Sequence, residues 1–275
     1  MKNIDKKNIF ILFKNEIKVN QRSLLIFTIA ISGIMMLYML LFPMVKDIFI
    51  DKLDSMPLEL LEMFGVSGAS EFTNYNTYFG SMAGIFSLVI AIYMLLFSVN
   101  IFYKEEETKT IEYTFSNAIS REELWISKFL TLIVSLLLIC IMTFLVATIS
   151  GFLSSPKEIE VKALLGISFL MFSISFIFVS LGLLLISFKM KYRPLSLALG
   201  IIFTLYLLGY LGSIGGRTIT FLRYLSPFTA IAINDFANSV VNLANYNYLA
   251  LIVYYFIAIS FIVISVICYR KKDFS

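Results

Sequence analysis

The sequence contains no histidine and only 2 cysteines among its 275 residues. Without histidine, the chain has no imidazole metal ligand, no serine–histidine catalytic pair and no histidine general base. Cys140 and Cys268 both lie inside apolar runs, so their positions predict neither a disulfide nor a metal site. These absences argue against hydrolytic or metal-dependent catalysis that relies on histidine, and we expect no bound cofactor and no enzymatic activity in this chain.

Charge is also scarce. Charged residues make up 15% of the chain and hydrophobic residues 59%, whereas soluble domains average roughly 25% and 45–50%. A chain of this makeup has too little polar surface for water, so the composition predicts an integral membrane protein. The net charge of +4 is spread over segment ends and forms no patch for nucleic acid. A phosphate-binding loop of the form GxxxxGK[ST] is absent, so any ATP-driven work needs a second polypeptide.

Six apolar runs are each long enough to cross a bilayer, which takes about 20 residues. They predict an all-α membrane protein with six transmembrane helices in one domain, residues 1–275. The interiors of these runs contain no Asp, Glu, Lys or Arg, which argues against an ion- or proton-coupled carrier because such carriers place charges at mid-membrane. The predicted spans are Ser23–Val45, Tyr78–Phe102, Phe129–Gly151, Ala163–Phe188, Pro194–Leu211 and Tyr248–Tyr269.

The basic residues predict the orientation of these spans. If the amino terminus is cytoplasmic, the cytoplasmic segments hold 16 of the 22 lysines and arginines, and the outer segments hold the other six. Basic residues accumulate on the cytoplasmic side of membrane proteins. We therefore expect a multi-pass protein with both termini in the cytoplasm.

The first 22 residues predict an amphipathic helix. Ile9, Phe13 and Ile17 repeat every four residues, and the positions between them are mostly polar and basic. Such a helix lies along a membrane surface. The apolar run that follows is too long for a cleaved signal peptide.

The segment 103–128 is the most highly charged part of the chain's middle, with ten charged residues between two apolar runs. Ser120 followed by Glu123 forms the pattern of a capping box, which predicts a helix start. We interpret the segment as a helix, a turn and a second helix that project from the membrane into water. The alternative is a solvated loop that only joins two spans.

The segment 209–247 is much less charged than an aqueous loop of this length. Glycines at positions 209, 212, 215 and 216 interrupt the fifth helix, and irregular backbone at membrane depth must be packed in protein or line a cavity. We interpret it as one or two short helices that turn back into the outer leaflet. In that arrangement Phe221, Leu222 and Leu225 pack inward, while the arginines at 217 and 223 reach the outer headgroups or an outer vestibule. An ordinary interfacial loop is the alternative.

Three groups of residues carry a resemblance to a known family. The run EEETKTIEY, the turn NAISR and the step ELWISK are similar to the cytoplasmic loop of type-two ABC transporter permeases. That loop has an acidic pair, a Gly-Thr-Leu/Ile-Glu step, a Pro-Ile/Val-Ser-Arg turn and a Gly/Ser-Lys step. Lys109 and Ala118 depart from the pattern, where glycine and proline are usual. The matching positions are Glu105, Glu106, Thr110, Ile111, Glu112, Ser120, Arg121, Ser127 and Lys128.

The resemblance implies a function and its residues. The chain would be the permease subunit of an ATP-driven exporter in a bacterial cell membrane, and it would act with a separate ABC ATPase that binds ATP and magnesium. A second permease copy or close relative would complete the pathway. The residues implied for coupling to the ATPase are Glu105, Glu106, Thr110, Glu112, Ser120, Arg121, Lys128 and, on the amino-terminal helix, Glu16. The implied outer gate consists of Phe221, Arg223, Leu225, Pro227 and Phe228.

The residues also leave a second function open. The chain could be a non-transporting membrane scaffold or an immunity factor against an antimicrobial peptide. A co-encoded ATPase with a phosphate-binding loop favours the exporter, and its absence favours the scaffold.

Overall fold

The computed structural model of the protein describes residues 5–52, 74–107, 119–156, 159–188, 194–214, 219–238 and 246–271. Within these ranges the regular structure is helical and contains no strand. The elements are α1 (Lys6–Leu40), α2 (Phe42–Lys52), α3 (Tyr75–Glu107), α4 (Arg121–Ser154), α5 (Val161–Ser187), α6 (Leu195–Ile214), a 3-10 helix (Thr220–Leu225), α7 (Pro227–Ala230), α8 (Ile233–Asn238) and α9 (Leu249–Lys271).

Six of these helices, α1, α3, α4, α5, α6 and α9, are long and apolar enough to cross a membrane. They correspond one to one with the six runs predicted from the sequence. The all-α membrane fold with six spanning helices is therefore confirmed.

Helix α1 differs from the predicted arrangement of a surface helix followed by a separate span. It is continuous from Lys6 to Leu40, because no glycine or proline lies between the basic segment and the apolar run. Its 35 residues correspond to about 52 Å at 1.5 Å per residue, against about 30 Å for the apolar core of a bilayer. The basic segment therefore continues the axis of the first span.

The first span also ends earlier in the sequence than predicted. Helix α1 ends at Leu40, and α2 begins after Leu41 with Pro43 in its first turn. Proline is tolerated there because the first helical N–H groups have no partner within the helix.

Polar contacts group the helix ends at one end of the bundle. The backbone N–H of Asp5, before α1, donates to Glu123 in the first turn of α4, and Arg270 near the end of α9 bonds Glu122. Lys128 reaches the carbonyl of Ile101 near the end of α3. We call this end of the bundle, where the starts of α1 and α4 meet the ends of α3 and α9, the charged end. The first and last described helices thus meet at one end, as the span count predicts, and its assignment to the cytoplasm stays a prediction.

Helices α3 and α5 form the centre of the bundle. They make the most extensive helix–helix contact, at a point where Gly182 of α5 faces Ser98 of α3 so closely that a Cβ on the glycine would overlap the serine hydroxyl. Small residues allow backbones to approach in a membrane, where van der Waals packing drives association. Helix α1 packs along α4, and α9 packs along α5.

Helices α6 and α9 are the least buried of the six, and the hydropathy of α9 is as high as that of the central pair. In water these exposed apolar side chains would form an aggregation surface. In a bilayer the same side chains contact lipid, because lipid tails are as apolar as the side chains themselves.

Candidate functional site

The capping box predicted at the start of α4 is present. The Ser120 hydroxyl accepts a hydrogen bond from the Glu123 N–H at 3.2 Å, and the Glu123 carboxylate accepts one from the Ser120 N–H at 2.9 Å. Glu122 and Glu123 lie in the first turn, where the helix dipole favours negative charge. The start of α4, in the second half of the segment 103–128, is therefore fixed by local chemistry that the sequence alone specifies.

Glu123 also makes a bond that the sequence does not predict. Its second carboxylate oxygen accepts the N–H of Asp5 at 2.7 Å. Asp5 is the N-cap of α1, and its own side chain accepts the N–H of Lys7. One buried carboxylate thus contacts the starts of two parallel helices.

Lys128 and Glu16 form a buried ion pair at the same end. Their Nζ and Oε1 atoms are 2.6 Å apart, and the side chains are 1% and 11% exposed. The ammonium also donates to the Ile101 carbonyl at 2.7 Å and lies 5.7 Å from the centre of the Phe102 ring. A buried charge is costly unless it is paired and hydrogen-bonded, and this arrangement satisfies that condition while linking α1, α3 and α4.

Arg121 and its neighbour Glu122 contact the end of α9. Arg121 donates to the carbonyl of Arg270 at 3.1 Å, and the Arg270 guanidinium lies 3.1 Å from the Glu122 carboxylate. Arg121 is half-buried. The carboxyl-terminal part of the chain therefore lies against the start of α4.

The structure brings four of the predicted coupling residues together. Ser120, Arg121, Lys128 and Glu16 lie at the charged end. Glu16 and Lys128 are in its interior and pair with each other, so their contribution to coupling would be through helix position and not through direct contact with a partner. Glu105 and Glu106 lie in the last turn of α3. Thr110 and Glu112 lie outside the described residues.

The predicted re-entrant element begins with the 3-10 helix, which doubles back along α6. A Cβ at Gly212 would lie 2.3 Å from the backbone nitrogen of Arg223, and one at Gly209 would lie 2.6 Å from the Ser226 side chain. Position 212 thus faces position 223, and position 209 faces position 226, so the two chain segments run antiparallel. The two glycines are required by this backbone approach.

Arg223 holds the turn after the 3-10 helix. Its guanidinium lies 3.0 Å from the carboxylate of Asp235 in α8 and donates to the Thr229 carbonyl at 3.4 Å. The Thr229 hydroxyl returns a bond to the Arg223 carbonyl at 2.7 Å. Arg223 is partly exposed and paired, which agrees with the expectation that a charge in this segment is paired or reaches water.

The inward packing expected for the 3-10 helix is wrong for two residues. Phe221 is 61% exposed and Leu225 is 50% exposed, while Leu222 is half-buried. The reason is that this helix packs its backbone, and not its side chains, against the glycines of α6. Of the predicted gate residues, Pro227 is buried and Phe228 stacks on Phe178 of α5.

Helix α8 makes a close contact with the bundle that the sequence reasoning missed. A Cβ at Gly166 of α5 would lie 2.4 Å from the ring of Phe236, and one at Gly80 of α3 would lie 2.4 Å from the Cβ of Ala237. Helix α8 therefore fills the gap between the two central helices at the end opposite the charged one. The signal available in the sequence was one glycine near the start of each span, which is too common to single out.

Tyr246 supports α8 from the other side. Its ring packs edge-on against Phe236, and its hydroxyl donates to the carbonyl of Ile231. Burial, with a smaller contribution from the charge of Asp235, raises the pKa of Tyr246. The phenol therefore stays protonated and keeps its role as donor at neutral pH.

The packing of α8 predicts a labelling pattern. Single cysteines replace each residue from 235 to 238 in a background without Cys140 and Cys268. We expect a membrane-impermeant thiol reagent to label positions 235 and 238 quickly and positions 236 and 237 slowly, because Asp235 and Asn238 are exposed while Phe236 and Ala237 are buried. Equal rates at all four positions would contradict the docking of α8 between α3 and α5.

Six apolar helices, with a cluster of ionic contacts at one end and a folded-back element at the other, define the chain as a multi-pass helical membrane protein. The family model described as "Multidrug efflux system permease Rv1217c, C-terminal domain" matches residues 16–270. The chain belongs to this family of permeases, which confirms the prediction of a membrane permease. Among curated proteins, none shows significant similarity to the chain.

Proposed function

We propose that the chain is the permease subunit of an ATP-driven exporter of the type-two ABC class. The observation that carries the proposal is the charged end, where the start of α4, the last part of the segment 103–128, is bonded to three other helices. Glu123 bonds the start of α1, Lys128 bonds α3 and Arg121 bonds the end of α9. A force on the start of α4 would then act on α1, α3 and α9 as well. The family match adds the direction of transport, because its name describes an efflux permease.

The energy for export would come from a separate ABC ATPase that binds ATP and magnesium and docks on the segment 103–128. The sequence supports this division because it has no phosphate-binding loop and no charged residue inside its predicted spans. The cargo would be amphipathic drug-like compounds, a substrate class taken from the family name. A second copy of the chain or a close relative would complete the pathway in the cell membrane.

The test is reconstitution. The tagged chain is purified with its co-eluting partners, and ATP-dependent movement of a lipophilic fluorescent dye is measured in proteoliposomes. Replacing Glu112 and Arg121 by alanine should leave ATP hydrolysis in place and reduce dye transport, because both positions match the family's loop pattern. Lys162→Ala removes a basic residue at the opposite end and should leave both rates unchanged.

Two results would contradict the proposal. Dye transport that continues unchanged in the double variant would remove the coupling role of the segment. A chain that purifies without an ATPase and protects cells from an antimicrobial peptide would instead be a non-transporting immunity factor.

A further inference from the structure

The carboxylate of Glu123 lies between two helix starts that are 118 residues apart in sequence. One oxygen accepts the N–H of Asp5 at 2.7 Å, and the other accepts the N–H of Ser120 at 2.9 Å. The first N–H groups of a helix have no partner within the helix, and the positive end of its dipole favours an anion. Glu123 supplies both an acceptor and a negative charge to the starts of α1 and α4, and the residue is 2% exposed.

A second connection lies further along the same helices. The pair of Glu16 and Lys128 joins α1 to α4, and the bond from Lys128 to the Ile101 carbonyl adds α3. Residues 108–118 leave from α3 and return at α4. Helix α1 is thus linked to the flanks on both sides of that segment, at Ser120 through Glu123 and at Ile101 through Lys128.

Helix α1 also reaches the other end of the bundle. It is continuous to Leu40, and the carbonyl of Tyr38 accepts the hydroxyl of Tyr78, in the first turns of α3, at 3.0 Å. One uninterrupted helical backbone thus connects the contact at Asp5 with the contact at Tyr38.

We propose that Glu123 is a positioning residue that transmits movement of the segment 103–128 to α1, and through α1 to the opposite end of the permease. The proposal rests on the proposed function, since it concerns how ATP hydrolysis is coupled to export. Glu123 contacts no substrate in this role. It sets the position of α1 relative to the start of α4.

The test compares variants that break this bond from either side. Glu123→Gln leaves one acceptor oxygen for the N–H groups of Asp5 and Ser120 and for the Asn8 side chain, which also bonds the carboxylate. Asp5→Pro removes the donor N–H of residue 5 itself. Each has a matched control. Glu122→Gln makes the same chemical change one residue earlier, and Asp5→Ala loses the same side-chain cap as proline but keeps the N–H.

The measured quantity is dye transported per ATP hydrolysed by the complex of permease and ATPase in proteoliposomes. We expect Glu123→Gln and Asp5→Pro to lower this ratio about tenfold, within the usual range of coupling between sites, with hydrolysis retained. The two controls should keep the ratio of the unaltered complex. Hydrogen exchange at the amides of residues 9–12, which are paired with backbone carbonyls at the start of α1, should be faster in both test variants than in their controls, and this readout needs no ATPase.

Different failures have different meanings. If the unaltered complex hydrolyses ATP without moving dye, the proposed function itself is contradicted. If the unaltered complex couples the two and Glu123→Gln keeps its ratio, only the positioning role is overturned. A parallel fall of hydrolysis, transport and yield in both test variants would show a merely structural bond and would also overturn it.

Discussion

We expect Lys128→Met to lower the free energy of unfolding by about 3–5 kcal/mol, because it removes one partner of a buried ion pair. The Lys128 ammonium lies 2.6 Å from the Glu16 carboxylate. The same change removes the hydrogen bond that the Ile101 carbonyl accepts from the Lys128 ammonium at 2.7 Å. The measurement is an unfolding titration with a denaturing detergent in mixed micelles.

The double variant separates charge from packing. Glu16→Leu combined with Lys128→Met should recover most of the loss, since replacing a buried ion pair by apolar residues of similar volume is often neutral or stabilising. Glu122→Gln breaks the exposed pair with Arg270 and should cost less than about 1 kcal/mol. A double variant as unstable as Lys128→Met would show that the loss of this charge pairing is not the cause.

We expect Gly212→Ala to detach the 3-10 helix from α6. The added Cβ would lie 2.3 Å from the backbone nitrogen of Arg223 and 2.8 Å from the carbonyl carbon of Leu222. Neither atom belongs to a side chain that can rotate away, so the 3-10 helix must move, at a cost of about 1–3 kcal/mol. Ser226, buried against Gly209, then becomes accessible.

The measurement is the labelling rate of Ser226→Cys by an impermeant thiol reagent in the cysteine-free background. We expect the rate to rise about tenfold in Gly212→Ala, the population change that about 1.4 kcal/mol produces, and export to fall with it. Gly200→Ala on the same helix is the control. Its Cβ meets no atom within 4 Å, and it should leave both labelling and export unchanged. Slow labelling in Gly212→Ala would contradict the close backbone contact.

The spanning helices and the start of α4 could be predicted from the sequence because they depend on local chemistry. An apolar run of about 20 residues must be helical in a membrane, where each backbone N–H and C=O has to be paired within its own segment. The capping box of Ser120 and Glu123 needs only two residues three positions apart. The glycines at 209 and 212 were predicted to interrupt this helix, and that prediction is wrong, because α6 continues to Ile214. Their role is to let the backbone of the 3-10 helix approach α6.

Only the tertiary structure shows which helices and side chains contact one another. Glu16 and Lys128 are 112 residues apart, and only the parallel packing of α1 along α4 brings their charges to 2.6 Å. Phe221 and Leu225 are as apolar as Phe236, yet they face outward while Phe236 fills the space above Gly166. In a chain this apolar, hydrophobicity does not distinguish a side chain that contacts lipid from one that contacts protein. The close approach of backbones at glycine and the pairing of buried charges make that choice, and both depend on residues far apart in the sequence.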